Sequence, residues 1–147
     1  METVNSQQAQ RVWQRVHAPK GEPFTEEIHR LSAGEWEASA ACLALARRAG
    51  GKFAPALRLL AQNSRSRWAC LQGLALLRSG KRPQHTHPAR PEGSPFDILS
   101  QCCRDGLERI DLYSRSPELP GPLAATLARE QTNDCRALLE ILGNWST

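Results

Sequence analysis

Four stretches of helical periodicity, joined by a short, a long and a short connection, restrict this chain to an all-α fold. The first runs from about Thr25 to Ala49. Thr25 is placed to cap it, Glu26 and Glu27 complement the positive end of the helix dipole, and Gly50-Gly51 closes it. The second opens near Pro55, which suits a first helical position, and stops at Gly80. The third begins at Ser94-Pro95-Phe96-Asp97, a serine cap followed by proline and then an acid, and fades near Ser114 to Pro117. The fourth starts at Pro122 and ends at Gly143. A shorter helix is predicted ahead of these, over Gln7 to His17.

The connections set the topology. Those after the first and third helices are a few residues long, and such links make antiparallel hairpins. Between the second and third lies the proline-rich stretch from Lys81 to Gly93, too long for a tight turn, which reads as a crossover along the molecule. The expected architecture is an antiparallel four-helix bundle over residues 24–143, with an N-terminal extension (1–23) and a short C-terminal tail (144–147). A chain of 147 residues buries one core of this kind and has little left for a second.

Composition narrows the function classes. Hydrophobic residues are 40% and charged residues 23%, a globular mixture, and no apolar run approaches the roughly 20 residues that cross a bilayer. The opening METVNSQQAQ has no basic segment leading into an apolar one, so no secretory signal is expected. The five cysteines Cys42, Cys70, Cys102, Cys103 and Cys135 lie in apolar segments at spacings that form no disulfide framework, and read as reduced, buried thiols in the cytoplasm. Only one of the adjacent pair Cys102-Cys103 is expected to face the core. A net charge of +4 is mild and the aromatic content only 5%, so neither supports a nucleic-acid partner.

Polar residues interrupt the buried stripes at one height. On the second helix, Leu57, Leu60, Ser64, Arg67, Leu71 and Leu74 follow at alternating steps of three and four, which puts Ser64 and Arg67 in mid-stripe. On the fourth, the same steps run through Leu123, Leu127, Glu130, Asp134 or the neighbouring Asn133, Ala137 and Ile141. On the first, Glu35 falls among Ile28, Leu31, Ala38, Cys42 and Leu45. Three coincident interruptions predict a shared polar layer.

These residues carry a resemblance. Gly34-Glu35-Trp36-Glu37-Ala38 followed by Cys42 resembles the first helix of rubrerythrin-type proteins of the ferritin-like superfamily. The stretch from Arg58 to Ala69 is similar to that family's second helix, and Thr126 to Asn133 to its fourth. Two hairpins joined by one long crossover is also the ferritin-like connectivity. The resemblance implies a di-iron site in which the second and fourth helices each supply Glu-x-x-His. Carried across, Glu35 and Glu130 match ligand positions and Glu108 is the third helix's offering, while Ser64 and Arg67 replace the first Glu and His and Asn133 the second His. A serine cannot bridge iron as a carboxylate does, and an arginine has no lone pair to donate and a permanent charge opposed to a cation. The paired Cys-x-x-Cys elements of the family's rubredoxin-like iron domain have no counterpart in these residues.

Two readings of function follow. In the first, the iron chemistry has decayed, no cofactor is bound, and the bundle is a binding or structural module whose partner is another protein or a second copy of itself. In the second, the chain is a divergent non-haem metal oxidoreductase or peroxidase-like protein that uses Glu35, Glu108 and Glu130 to hold iron or another divalent metal. The first is preferred, with Arg67 pointing inward to pair with Glu35, Glu130 or both in place of the lost cation. His85-Thr86-His87 reads as solvated loop, and Trp13, Trp36, Trp68 and Trp145 as too dispersed to act together.

Overall fold

The computed structural model describes residues 23–49, 51–88 and 90–145. The helix expected over Gln7 to His17 lies outside them. Among the described residues the structure is all-helical, with no strand: α1 (Pro23–Ala49), α2 (Ala54–Ser79), α3 (Pro95–Arg115) and α4 (Gly121–Gly143). None of these helices is long and apolar enough to cross a membrane.

Local chemistry accounts for most of the boundaries. The helix α1 opens at Pro23, ahead of Thr25, and carries Arg47 and Arg48 in its last turn, where they face the negative end of the dipole. Pro55 sits in the first turn of α2, and Gly80 ends that helix in the left-handed conformation (φ 73°), donating its backbone N–H to the Leu76 carbonyl. At α3 the Ser94 hydroxyl accepts from the Asp97 backbone N–H at 3.1 Å, a cap worth about 1 kcal/mol. The helix α4 begins at Gly121 with Pro122 in its first turn.

The helices pack as α1 on α2 and α3 on α4, with α1 also against α3 and α2 against α4, an arrangement consistent with a helical bundle. Two apolar clusters fill the interior. One gathers Leu45, Leu57, Leu60, Leu99, Leu138 and Ile141, closed at its end by Phe53 stacked on Trp145 with ring centroids 5.2 Å apart. The other gathers Ile28, Leu31, Leu71, Tyr113, Leu119 and Leu127. Neither contains Glu35, Arg67, Arg109, Gln131 or Asp134, all of which are nonetheless buried. These residues occupy the level between the clusters.

The stripe on α4 differs from its sequence assignment. On α4 the buried positions are Ala124, Leu127, Gln131, Asp134, Cys135, Leu138 and Ile141, so Glu130 and Asn133 turn out to solvent. On α3 they are Ile98, Leu99, Cys102, Cys103, Gly106, Arg109 and Tyr113, with Ile110 only partly covered. Cys102 and Cys103 are both buried because the α3 inner face is two residues wide at that level, with α1 on one side and α4 on the other. Cys70, expected inside, is exposed on the outer side of α2.

Candidate functional site

The buried polar level is built on Arg67, 2% exposed, which α2 aims inward from the middle of its stripe. Its Nε donates to Glu35 Oε2 at 2.6 Å and one terminal nitrogen to Asp134 Oδ2 at 2.6 Å, tying α2 to α1 and α4 with one side chain. The same nitrogen reaches the Ser64 hydroxyl at 3.4 Å, so the serine one turn back serves as an acceptor. Asp134 accepts on its other oxygen from Asn63 Nδ2 at 3.0 Å. Glu35 is fully buried, and its Oε2 also accepts from the Tyr113 hydroxyl at 2.7 Å.

Arg109 completes the level from α3. Its Nε donates to Gln131 Oε1 at 3.3 Å and stands 3.6 Å from Glu35 Oε1, an ion pair without a hydrogen bond. Two guanidiniums thus face two carboxylates, and the level carries no net formal charge. Charge balance matters because an unpaired buried ion costs several kcal/mol. Burial alone pulls the Arg67 guanidinium down, but Glu35 and then Asp134 more than offset it, and its pKa ends above the ordinary arginine value. Burial, reinforced by the Glu35 charge, pushes the Tyr113 phenol well above its usual range, so Tyr113 stays a donor.

The expected ligand set does not assemble. Glu35 is inside, but Glu108 and Glu130 are exposed, and the carboxylate that joins Glu35 is Asp134. Arg67 pairs with Glu35 as expected and with Asp134 instead of Glu130, because Glu130 lies on the solvent side of α4. Ser64 faces the level and Asn133 is exposed. Among the described residues no three His, Cys, Asp or Glu side chains are grouped to hold a metal. A di-iron centre does not fit this donor set: the fixed cation of Arg67 stands between the two inward carboxylates, and both are bonded to it. Arg109, Gln131 and Tyr113 were missed as members of the layer. Steps of three and four through Leu99, Cys102, Gly106, Arg109 and Tyr113 would have found two of them.

A second constellation lies where the crossover meets α1 and α2. Gln72 Nε2 donates to the Pro83 carbonyl at 2.9 Å and to the Ser32 hydroxyl at 3.1 Å, and stands 3.2 Å from His85 Nε2. Ser32 Oγ is 3.0 Å from the same ring nitrogen. Burial, and after it the charge of His29, holds the His85 imidazole below its ordinary value and so favours the neutral ring, whose tautomer sets which partner donates. The crossover is therefore anchored at Pro83 and His85 rather than solvated there. Nearby, Trp36 and Trp68 pack with centroids 4.7 Å apart, and the Arg65 guanidinium lies 4.9 Å and 5.9 Å from the two rings. Two of the tryptophans thus act together after all, brought into tilted contact, their planes 39° apart, by the α1–α2 packing.

Compared with models of protein families, with curated proteins and with solved structures, the chain matches none.

Proposed function

We propose that the chain is an antiparallel four-helix bundle of ferritin-like type, acting in the cytoplasm, in which an arginine occupies the metal position and which serves as a binding or structural module. The antiparallel reading is supported by contacts whose residue numbers fall on one helix as they rise on its neighbour. Ser32 meets Gln72 and Glu35 meets Arg67; Glu35 meets Tyr113 while Arg48 reaches the Gly93 carbonyl ahead of α3. A crossover that starts α3 beside the end of α1 is the ferritin-like connectivity.

The observation that carries the functional reading is the Arg67 guanidinium, bonded at 2.6 Å to carboxylates from two other helices. It supplies the charge balance that a metal would otherwise supply, with no open position for a substrate. A binding role is supported by α2, which contains no acidic residue and presents Leu59 (58% exposed) and Leu77 (66% exposed) on its outer side. Exposed leucines set among the basic side chains Arg58 and Arg65 give that side both apolar and charged points of contact for a partner.

Two measurements test this. Elemental analysis of protein purified without chelator should find iron, manganese and zinc each far below one equivalent; a near-stoichiometric metal that Glu35→Gln displaces would overturn the reading. Sedimentation over a range of concentrations should show self-association that Leu59→Glu with Leu77→Glu abolishes, or, for a module with another protein as partner, a monomer throughout.

A further inference from the structure

A groove of about 900 Å³ opens between α1, α3 and the crossover, a volume within the roughly 300–1,000 Å³ of small-ligand sites. Ala38 and Ala41 of α1 and Leu112 of α3 give it an apolar lining. Arg109 of α3 lines it too, although its side chain is only 9% exposed. The arginine lies close across the α1 backbone: a Cβ added at Gly34, itself part of the wall, would stand 3.2 Å from Arg109 Cδ and 3.7 Å from Nη1. Its Nε is taken up by Gln131 and Glu35. Among the described residues its two terminal nitrogens have no hydrogen-bond acceptor, yet neither is sealed from solvent.

We propose that the groove is a binding site for a small zwitterion, an α-amino acid with an apolar side chain. Its carboxylate bonds the terminal nitrogens of Arg109, its ammonium bonds Asp105, and its side chain lies against Ala38, Ala41 and Leu112. The two terminal nitrogens of a guanidinium offer a carboxylate two parallel donors, which fixes its orientation as well as its place. This site uses neither the Arg67 bonds nor the outer side of α2, and so stands apart from both.

Charge selects a zwitterion over a bare anion. Arg109 is already matched in the polar level, where two guanidiniums face two carboxylates, and among the described residues five acids against three arginines line the groove. A negative charge added alone would be left unbalanced, whereas a ligand that brings its own cation keeps the balance. Asp105 is placed to receive that cation. It lines the groove one turn before Arg109 on α3, a spacing that sets Cβ atoms roughly 5–6 Å apart. It is half-buried, its Oδ1 accepts from Gln101 at 2.8 Å, and its other oxygen has no donor among the described residues. An α-amino acid carries both charges on one carbon and can meet the two partners together.

The test titrates the full chain with L-leucine by isothermal calorimetry, with isocaproate, isoamylamine and inorganic phosphate as the carboxylate-only, ammonium-only and bare-anion probes. Leucine should saturate one site, and each half-ligand, lacking one charged contact, should bind about tenfold or more weakly. Asp105→Asn should weaken leucine by a similar factor and leave isocaproate no weaker than before. Ala38→Phe, which fills the groove without touching the polar level, should abolish binding while the unfolding curve is kept. Arg109 stays in place, because its removal would unbalance the buried charges. The three probes on the parent chain decide the ligand class whatever the stability of the variants. No saturable binding of leucine, methionine or phenylalanine, isocaproate or phosphate binding as tightly as leucine, or leucine binding that survives Ala38→Phe would overturn the proposal.

Discussion

Arg67→Met is the sharpest test of the charged layer, because methionine keeps an apolar stem of similar length and removes only the guanidinium. Two hydrogen bonds of 2.6 Å to carboxylates disappear, each with a net value of roughly 1.5–3 kcal/mol for a charged pair. Removing one partner of a buried ion pair typically costs about 3–5 kcal/mol. Glu35 keeps the Tyr113 hydroxyl at 2.7 Å and Arg109 at 3.6 Å, and Asp134 keeps Asn63 at 3.0 Å, so neither acid is wholly stranded. The expected loss is therefore near the lower end, about 3 kcal/mol. Urea unfolding followed by far-ultraviolet circular dichroism measures it directly.

The sign of the pH dependence separates an electrostatic cause from a packing one. In the variant the folded chain gains stability by taking up protons on carboxylates that have lost their partner, so it binds more protons than the unfolded chain and its deficit relative to the parent narrows as the pH falls. A cavity would cost the same at every pH. Glu35→Gln together with Arg67→Met should recover part of the loss, giving a coupling energy of about 1 kcal/mol or more. A single variant within about 0.5 kcal/mol of the parent at neutral pH, or a deficit that does not change with pH, would refute the reasoning.

Tyr113→Phe removes one donor from the fully buried Glu35 and should lower unfolding free energy by about 1.5–3 kcal/mol, read from the same denaturation curves. Gly106→Ala would place a Cβ 2.7 Å from Cys135 Sγ and 3.2 Å from Gln131 Nε2, forcing α3 from α4 and costing about 1–3 kcal/mol, whereas Gly73→Ala, with no atom within 4 Å, should stabilise α2 by about 0.5–1 kcal/mol. Burial, and after it His29, holds the His85 imidazole below its ordinary value, so the folded chain binds fewer protons there than the unfolded chain does. The contribution of that anchor should be complete above a pH of about 6.5 and be lost as pH falls below it. Thermal unfolding across that interval should show an acid limb that His85→Ala flattens.

The helices were legible in the sequence because their punctuation is local: Pro55 and Gly80 act through their own backbone and the Ser94 hydroxyl on its own first turn, and none needs a tertiary partner. The inward direction of Arg67 was also legible, since Leu57, Leu60, Leu71 and Leu74 fix its stripe from both sides. Arg109 was not, because a long basic side chain on a helix is ordinarily read as solvated and only the three-dimensional position of Glu35 makes burial favourable. The His85 anchor was hidden for a related reason. It depends on Gln72 and Ser32, far from it in the chain, and no local signal links a proline-rich loop to an amide on one helix and a hydroxyl on another.

The helix α4 shows what decides between two stripes that spacing alone leaves equal. Leu123, Leu127, Glu130, Asp134, Ala137, Ile141 and Ala124, Leu127, Gln131, Asp134, Leu138, Ile141 both follow steps of three and four, and they share Leu127, Asp134 and Ile141. Turning Glu130 inward would set three carboxylates, Glu35, Glu130 and Asp134, against the two guanidiniums of Arg67 and Arg109, and would leave one negative charge unbalanced in the interior. Turning Gln131 inward keeps the balance and gives Arg109 a neutral acceptor at 3.3 Å. It also exchanges Ala137 for the larger Leu138 in the apolar cluster. A buried charge penalty of several kcal/mol and a fuller core both favour the observed rotation. Electroneutrality of the layer, rather than hydrophobic periodicity, therefore selects which face of α4 is inside. Gln131→Glu, which restores the excess charge without altering the shape, should destabilise the fold more at neutral than at acid pH, since the folded variant then takes up a proton that the unfolded chain does not. Equal destabilisation at both would show that the rotation is set by packing alone.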